Sequence, residues 1–321
     1  MKIIRAGSNK GWVENKHIVM LNLLDNCNFR CSYCINKQQQ SRVLSKENLE
    51  VLISGLAELK RDAFVFPLAG GEPTIYPHLE KLIEGIDKKI NCKSKRIIFS
   101  TNGSLLGTSR IKNLCKQASS VDVEFAVSAH LEQISVDKLV KQIELFPFKE
   151  KCRVKFLVTP GGLGEIKQAK FEFAKMGVKT QAIFAVPPKG ETYKFTEEEK
   201  SYAEKIDTNG NLPFFNEYTD NGKIEQIRFS RGGKYFNPEL LNYKGLNCAV
   251  GHNLIRVSPD GKVIRCFGNP QFTYLTQDNS AELREMLNST TVCPATKCGC
   301  NPMLSVPKWA HGVKQPIYLE K

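Results

Sequence analysis

Cys27, Cys31 and Cys34 lie in one short segment, Asp25-Asn26-Cys27-Asn28-Phe29-Arg30-Cys31-Ser32-Tyr33-Cys34, and thiols at that spacing reach one another and can share a metal centre. The chain has eleven cysteines, of which Cys248, Cys266, Cys293, Cys298 and Cys300 gather near the other end and only Cys92, Cys115 and Cys152 are scattered. The opening residues have no apolar signal core, so a cytoplasmic address is expected. In that reducing compartment metal ligation is a better use for so many thiols than disulfides. Three thiolates are the informative number, because on a four-iron cluster they leave one iron open to a substrate or cofactor. A zinc knuckle is the competing use, but structural zinc takes four ligands and none follows here at the usual spacing.

In the later group, Cys266 follows Cys248 by eighteen residues, and the tail supplies Cys293-xxxx-Cys298-x-Cys300. Between the first two, Asn253–Val257 and Lys262–Cys266 flank the turn Ser258-Pro259-Asp260-Gly261, which predicts a β-hairpin. Five thiols on a hairpin and its return loop signal metal. One iron–sulfur cubane would use at most four of them, and the spacing does not choose among Cys293, Cys298 and Cys300. A zinc ribbon is the alternative.

These residues need elements to position them. Six apolar, β-branched runs, His17–Leu24, Phe64–Leu68, Arg96–Ser100, Val123–Ser128, Val154–Thr159 and Thr180–Val186, alternate with amphipathic segments such as Lys46–Lys60, His78–Lys89 and Val136–Leu145. That alternation predicts an α/β fold with a parallel sheet whose functional groups collect at the carboxyl ends of its strands. The odd polar residues fall there: Gly70-Gly71-Glu72-Pro73 after the second run, Ser100-Thr101-Asn102-Gly103 after the third, Ser128-Ala129-His130 after the fourth. The loop Thr159-Pro160-Gly161-Gly162-Leu163-Gly164-Glu165 after the fifth weakly suggests a phosphate cradle, without the Lys-Ser/Thr ending of a nucleotide-triphosphate loop. From about Asp207 the pattern changes to aromatic and glycine-rich segments, so we expect a core domain over 1–206 and a smaller one over 207–321.

The Cys27-xxx-Cys31-xx-Cys34 spacing, with aromatic Tyr33 before the last cysteine and the strand-end motifs following in order, resembles the signature of the radical S-adenosylmethionine (radical SAM) superfamily. The resemblance implies a partial (β/α)6 barrel. It makes Cys27, Cys31 and Cys34 ligands of a [4Fe–4S] cluster whose open iron binds SAM. It places Tyr33, Gly70, Gly71, Glu72, Pro73, Ser100, Asn102 and Ser128 around SAM, with the Glu72 carboxylate and nearby backbone accepting from its ammonium group. Arg153 and Lys155 are possible partners of its carboxylate. His130 stands where the family often has an acidic residue, and its role stays open. The later cysteines and hairpin are similar to the twitch and SPASM extensions, which implies one auxiliary [4Fe–4S] cluster, since the full seven-cysteine SPASM pattern is absent. Such an enzyme cleaves SAM reductively to a 5′-deoxyadenosyl radical that abstracts a hydrogen atom, using an electron donor such as flavodoxin or ferredoxin.

The balance of 46 Lys+Arg against 33 Asp+Glu gives +13, and the excess lies mostly before Asp207, which favours an anionic partner. No stretch approaches the roughly 20 apolar residues of a membrane helix. The first cysteine lies 26 residues from the start, too close for the peptide-recognition domain that many peptide-modifying relatives carry there. We therefore expect a small polar substrate, bearing a sugar, nucleotide or phosphate, that is oxidised or epimerised. The alternative is a maturase for a ribosomally made peptide, suggested by aromatics such as Phe214, Phe215 and Tyr218. The ordered strand-end motifs argue against a non-catalytic nucleic-acid-binding metalloprotein.

Overall fold

The computed structural model describes residues 3–7, 16–34, 41–185, 187, 192–207, 214–218, 224–228, 243–266, 271–296, 306 and 308–309. After a first strand β1 (Ile3–Gly7), six strands alternate with helices: β2 (Lys16–Leu24), α1 (Lys46–Ala57), β3 (Ala63–Gly70), α2 (Leu79–Lys89), β4 (Ser94–Thr101), α3 (Ser109–Gln117), β5 (Asp122–Ala129), α4 (Val136–Glu144), β6 (Cys152–Val158), α5 (Leu163–Lys175) and β7 (Lys179–Phe184). All six runs read as strands form the parallel sheet β2 to β7 in sequence order. Helices start where the sequence offers a cap: Ser45 accepts from the Asn48 amide at 3.1 Å, and Ser135 from that of Lys138 at 3.4 Å. Helix α1 then buries Leu49, Leu52, Ile53 and Leu56, the spacing of one helical face.

Strand alternation sorts side chains into two cores. Val19, Leu21, Phe64, Phe66, Ile97, Phe99, Phe125 and Phe156 pack outward with the helices. Their neighbours Ile18, Met20, Val65 and Ile98 point to the concave face and pack against Tyr243, Cys248, Leu254, Cys293 and Trp309.

The rest of the chain adds α6 (Glu197–Asp207), β8 (Phe214–Tyr218), β9 (Ile224–Arg228), β10 (Asn247–Cys248), β11 (Leu254–Val257), β12 (Lys262–Ile264), β13 (Phe272–Tyr274), α7 (Ser280–Asn288), β14 (Thr291–Val292) and β15 (Lys308–Trp309). The hairpin expected around Ser258–Gly261 is β11–β12, paired antiparallel through Arg256 with Ile264 and Val257 with Val263. It does not stand apart. Strand β11 runs parallel to β2, Leu254 beside Ile18 and Arg256 beside Met20, so the sheet continues to nine strands in the order β13-β12-β11-β2-β3-β4-β5-β6-β7. The addition covers an edge of β2 that would otherwise be exposed. A second, antiparallel sheet has the order β14-β10-β15-β1-β8-β9, so the strand at the start of the chain joins the C-terminal ones. No helix among the described residues is long and apolar enough to cross a membrane.

Phe125 anchors the outer core, its ring 4.9 Å from that of Phe99 and 5.1 Å from that of Phe146. Phe125→Ala is expected to cost about 3–5 kcal/mol, read as a lower urea midpoint at unchanged slope.

Candidate functional site

The loop that follows β2 carries Cys27, Cys31 and Cys34, and its neck is closed by its own return. The Asp25 amide donates to the Arg42 carbonyl at 3.0 Å, Leu44 to Leu23 at 2.8 Å, and Leu24 bridges Val43. Arg42 Nε donates to Asp25 Oδ2 at 2.7 Å, and its Nη1 lies 3.6 Å from Asp260 Oδ2 on the β11–β12 turn.

Three strand ends grip this loop. From β3, the Gly71 amide donates to the Leu24 carbonyl at 2.7 Å and the Glu72 amide to that of Asn26 at 2.9 Å. The approach needs glycine: a Cβ on Gly71 would overlap the Asn26 carbonyl oxygen, and Gly70, at φ +117°, would put one into that of Leu24. From β4, Asn102 Nδ2 donates to Asn28 Oδ1 at 2.8 Å and lies 3.9 Å from Cys27 Sγ. From β5, the turn 130–133 clamps the far side. Glu132 accepts from the Ser32 amide at 2.6 Å and hydroxyl at 2.8 Å, Gln133 Oε1 accepts from the Arg30 amide at 3.1 Å, and the Tyr33 hydroxyl sits 3.2 Å from His130 Nδ1.

Glu72 joins two of these ends. The side chain is 1% exposed, its Oε1 accepts from the Thr74 amide at 3.1 Å and from the Thr74 and Thr101 hydroxyls at 2.6 Å each, and its Oε2 accepts from the Asn102 amide at 2.7 Å. Both carboxylate oxygens are thus engaged by the chain's own donors. Pro73 and Thr74, in the turn that follows, are buried. Ser100 is exposed on β4, and Ser128 is half-buried on β5 beside Lys155. Arg153 is exposed and pairs in register with Lys179.

Burial, then Glu132, Cys34 and Cys27, push the Cys31 thiol up to about 12. Burial likewise raises Cys27, with the Phe29 amide opposing and Glu72 and Cys34 adding to the rise. Thiols that feel one another and resist ionisation become ligands when a metal centre supplies positive charge. Tyr33 is raised chiefly by burial and stacks on His130 with ring centroids 5.8 Å apart. Burial pulls His130 down to about 4, against Glu132, so at neutral pH the ring is uncharged and Nδ1 can accept from the tyrosine.

At the second cysteine group, β10 sets Cys248 beside Lys308 of β15 and Thr291 of β14. Cys293 follows β14, its amide donating to the Leu246 carbonyl at 2.7 Å, and Cys266 follows β12. Burial raises Cys248, Lys308 and the Val250 backbone oppose, and Cys293 and Cys266 add to the rise. Cys298 and Cys300 lie outside the described residues. Among the described residues no three His, Cys, Asp or Glu side chains gather as a single-ion site.

The glycine-rich loop after β6 is used otherwise than a phosphate cradle. Glu199 accepts from the Gly161 amide at 2.7 Å and from that of Thr196 at 2.7 Å, so a carboxylate occupies the donor an anion would need. Glu132, Gln133 and the buried Arg265 and Lys308 were not marked by any motif. Only adjacency, Glu132 two residues after His130 and Arg265 before Cys266, hinted at them.

Residues 21–160 match the Radical SAM superfamily. A domain of that family works with a [4Fe–4S] cluster and SAM, and the strand-end loop with its three thiols fits both. The radical SAM segment is similar to GTP 3',8-cyclase of Trichodesmium erythraeum, 34% identical over 92 residues, 27% of this chain and 27% of the relative. The chain thus matches about a quarter of the length of such relatives, whereas the cyclase of Psychromonas ingrahamii is 23% identical over 305 residues, covering 84% of this chain and 80% of that one. The fold is that of solved structures with SAM or peptide bound. Native anSMEcpe with bound AdoMet and Kp18Cys peptide gives TM-score 0.55 at 18% identity, over 85% of this chain and 82% of that one. Streptococcus suis SuiB bound to precursor peptide SuiA gives 0.56 at 14%, over 86% and 65%.

Two substitutions test the grip on the loop. Gly71→Ala is expected to displace Asn26 and lower the iron retained at Cys27, Cys31 and Cys34 several-fold. Glu132→Ala removes the two hydrogen bonds to Ser32, which solvent screening weakens at this exposed position, and is expected to speed iron loss to a chelator, with Glu132→Gln intermediate.

Proposed function

We propose that this chain reductively cleaves SAM and uses the resulting radical on a small, polar, anionic substrate that it oxidises or epimerises. The observation that carries the reading is the grip of three strand ends, β3, β4 and β5, on the three-thiol loop that follows β2, beside a concave wall that carries basic and amide side chains. On that wall Lys155 is in register with Ser128 and Gln181, and Arg256 lies beside Met20.

Cys27, Cys31 and Cys34 would hold three irons of the first cluster. When bound and reduced, that cluster supplies the electron that breaks a carbon–sulfur bond of SAM, giving methionine and a 5′-deoxyadenosyl radical. Tyr33, the Gly70–Pro73 backbone, Ser100, Asn102 and Ser128 orient the cofactor. Glu72, its carboxylate already engaged, acts by holding the β3 and β4 ends in place around SAM. His130 fixes the Tyr33 ring. Cys248, Cys266 and Cys293, with Cys298 or Cys300, suit one auxiliary [4Fe–4S] cluster. Domains over 1–206 and 207–321 remain our division of labour between radical generation and substrate handling, and a cytoplasmic flavodoxin or ferredoxin is the proposed electron source.

Relatives named for GTP cyclisation favour the anionic substrate. The second reading, peptide modification, is favoured by fold neighbours described with bound peptides. Adding nucleotide or peptide pools to reduced enzyme separates them: the true class raises 5′-deoxyadenosine formation above the substrate-free rate.

Replacing Cys27, Cys31 or Cys34 with Ala is expected to abolish 5′-deoxyadenosine formation, and activity surviving all three single changes defeats the reading. Glu72→Ala, which leaves the Thr74, Thr101 and Asn102 donors unmatched, should weaken SAM binding at least tenfold, measured by equilibrium binding, and lower the retained iron with it, whereas iron content near normal would show that Glu72 acts on SAM directly. Reconstituted protein should hold about eight irons, four per cluster, and Cys248→Ala with Cys266→Ala should remove about half. Substrate-free SAM cleavage should survive that double change while substrate turnover is lost.

A further inference from the structure

Segments 72–80 and 101–110, which follow β3 and β4, are joined twice, and each sends one charged side chain to the other. Glu72 reaches from the first segment to the Thr101 hydroxyl and the Asn102 amide. Arg110, in the first turn of α3, reaches back. Its Nε donates to Glu80 Oε1 at 2.6 Å and its Nη2 to Glu80 Oε2 at 2.8 Å, a two-pronged pairing with a residue in the first turn of α2. The same guanidinium takes two main-chain carbonyls of the turn between Glu72 and α2: Nη1 donates to Thr74 at 3.2 Å and Nη2 to Tyr76 at 2.7 Å. All three of its nitrogens are engaged.

The consequence lies in what else those two turn residues hold. Thr74 is buried and supplies Glu72 with two of its four donors, the amide at 3.1 Å and the hydroxyl at 2.6 Å. Tyr76 is fully buried, and its hydroxyl donates to the Leu44 carbonyl at 2.8 Å, while the Leu44 amide donates to Leu23 at the neck of the cysteine loop. The turn that Arg110 braces therefore bears on both the Glu72 carboxylate and the return of the cysteine loop. Serving a carboxylate and two carbonyls at once needs a planar fork, which an ammonium group on a flexible stem does not reproduce. At their other ends the same two helices have a separate tie, because Asp87 of α2 accepts from the Ser120 hydroxyl at 2.6 Å and amide at 2.8 Å, just after α3. Arg110 is thus not the only contact that packs α2 against α3.

We propose that Arg110 is a positioning residue for SAM: by bracing Thr74 and Tyr76 from α3 it holds the turn after Gly70–Pro73 in the conformation that receives the cofactor, and so sets SAM affinity. The inference rests on the SAM-binding reading above. Arg110 acts through the turn and not on the reacting atoms. An interaction that contributes equally to the ground state and the transition state lowers KM without changing kcat, so its loss belongs in KM.

The test uses the full chain after anaerobic reconstitution with iron and sulfide. Iron content, SAM affinity by equilibrium binding and the SAM dependence of 5′-deoxyadenosine formation under reduction are compared for the wild type and for R110A, R110K, E80A and S120A. R110A is expected to weaken SAM binding about fivefold or more and to raise KM for SAM in proportion, with the rate at saturating SAM within about twofold of wild type. R110K keeps the charge without the fork, and E80A removes one anchor of the guanidinium, so both should fall between. These two carry the test if R110A does not fold, and unchanged affinity in both then overturns the proposal. S120A, which weakens the tie at the other helix ends, should bind SAM as the wild type does. Unchanged SAM affinity in R110A at normal iron overturns the proposal and leaves the SAM reading standing. Weakening in S120A equal to that in R110A marks general helix packing as the cause and overturns it too, as does a fall in the saturated rate with KM unchanged. A wild type that holds iron but binds no SAM refutes the SAM reading and this inference with it.

Discussion

Where Gly71 crosses Asn26, two backbones approach more closely than any side chain permits, and the geometry of the cysteine loop follows from that crossing. The amides of Gly71 and Glu72 take the carbonyls of Leu24 and Asn26, which fixes the start of the loop against the end of β3. Glu72 then extends the constraint to β4, because its buried carboxylate is stable only while Thr74, Thr101 and Asn102 keep donating to it. Asn102 returns to Asn28 and Cys27. The circuit ties the cysteine positions to strand register.

The same strands serve two purposes through their alternation. Outward residues such as Val19, Phe66 and Phe99 bury the helices, and inward residues such as Ile18, Val65 and Ile98 receive Cys248, Cys293 and Trp309. Because β11 is hydrogen-bonded to β2, the segment leading into Cys266 is part of the barrel sheet. Arg42 joins Asp25, at the neck of the first cysteine loop, to Asp260 on the hairpin turn. The first cysteine loop and the second thiol group thus share one scaffold.

Much of this was written locally. Apolar, β-branched runs alternating with amphipathic segments determined the six parallel strands and their helices to within a few residues, and the hairpin around Ser258–Gly261 announced itself by its turn residues. Cysteine spacing placed Cys27, Cys31 and Cys34 in one short loop, and the glycines at the end of β3 showed that a backbone must pass there. Tertiary structure alone decided what depends on contacts distant in sequence: the attachment of β11 to β2, the entry of β1 into the C-terminal sheet, the engagement of Glu72 by β4, and the Glu132–Ser32 clamp across 100 residues. It also decided that Gly161 serves Glu199 and that Arg265 and Lys308 are buried. A charged residue reads as surface in a sequence, because its burial is stabilised only by partners that the folded chain brings to it.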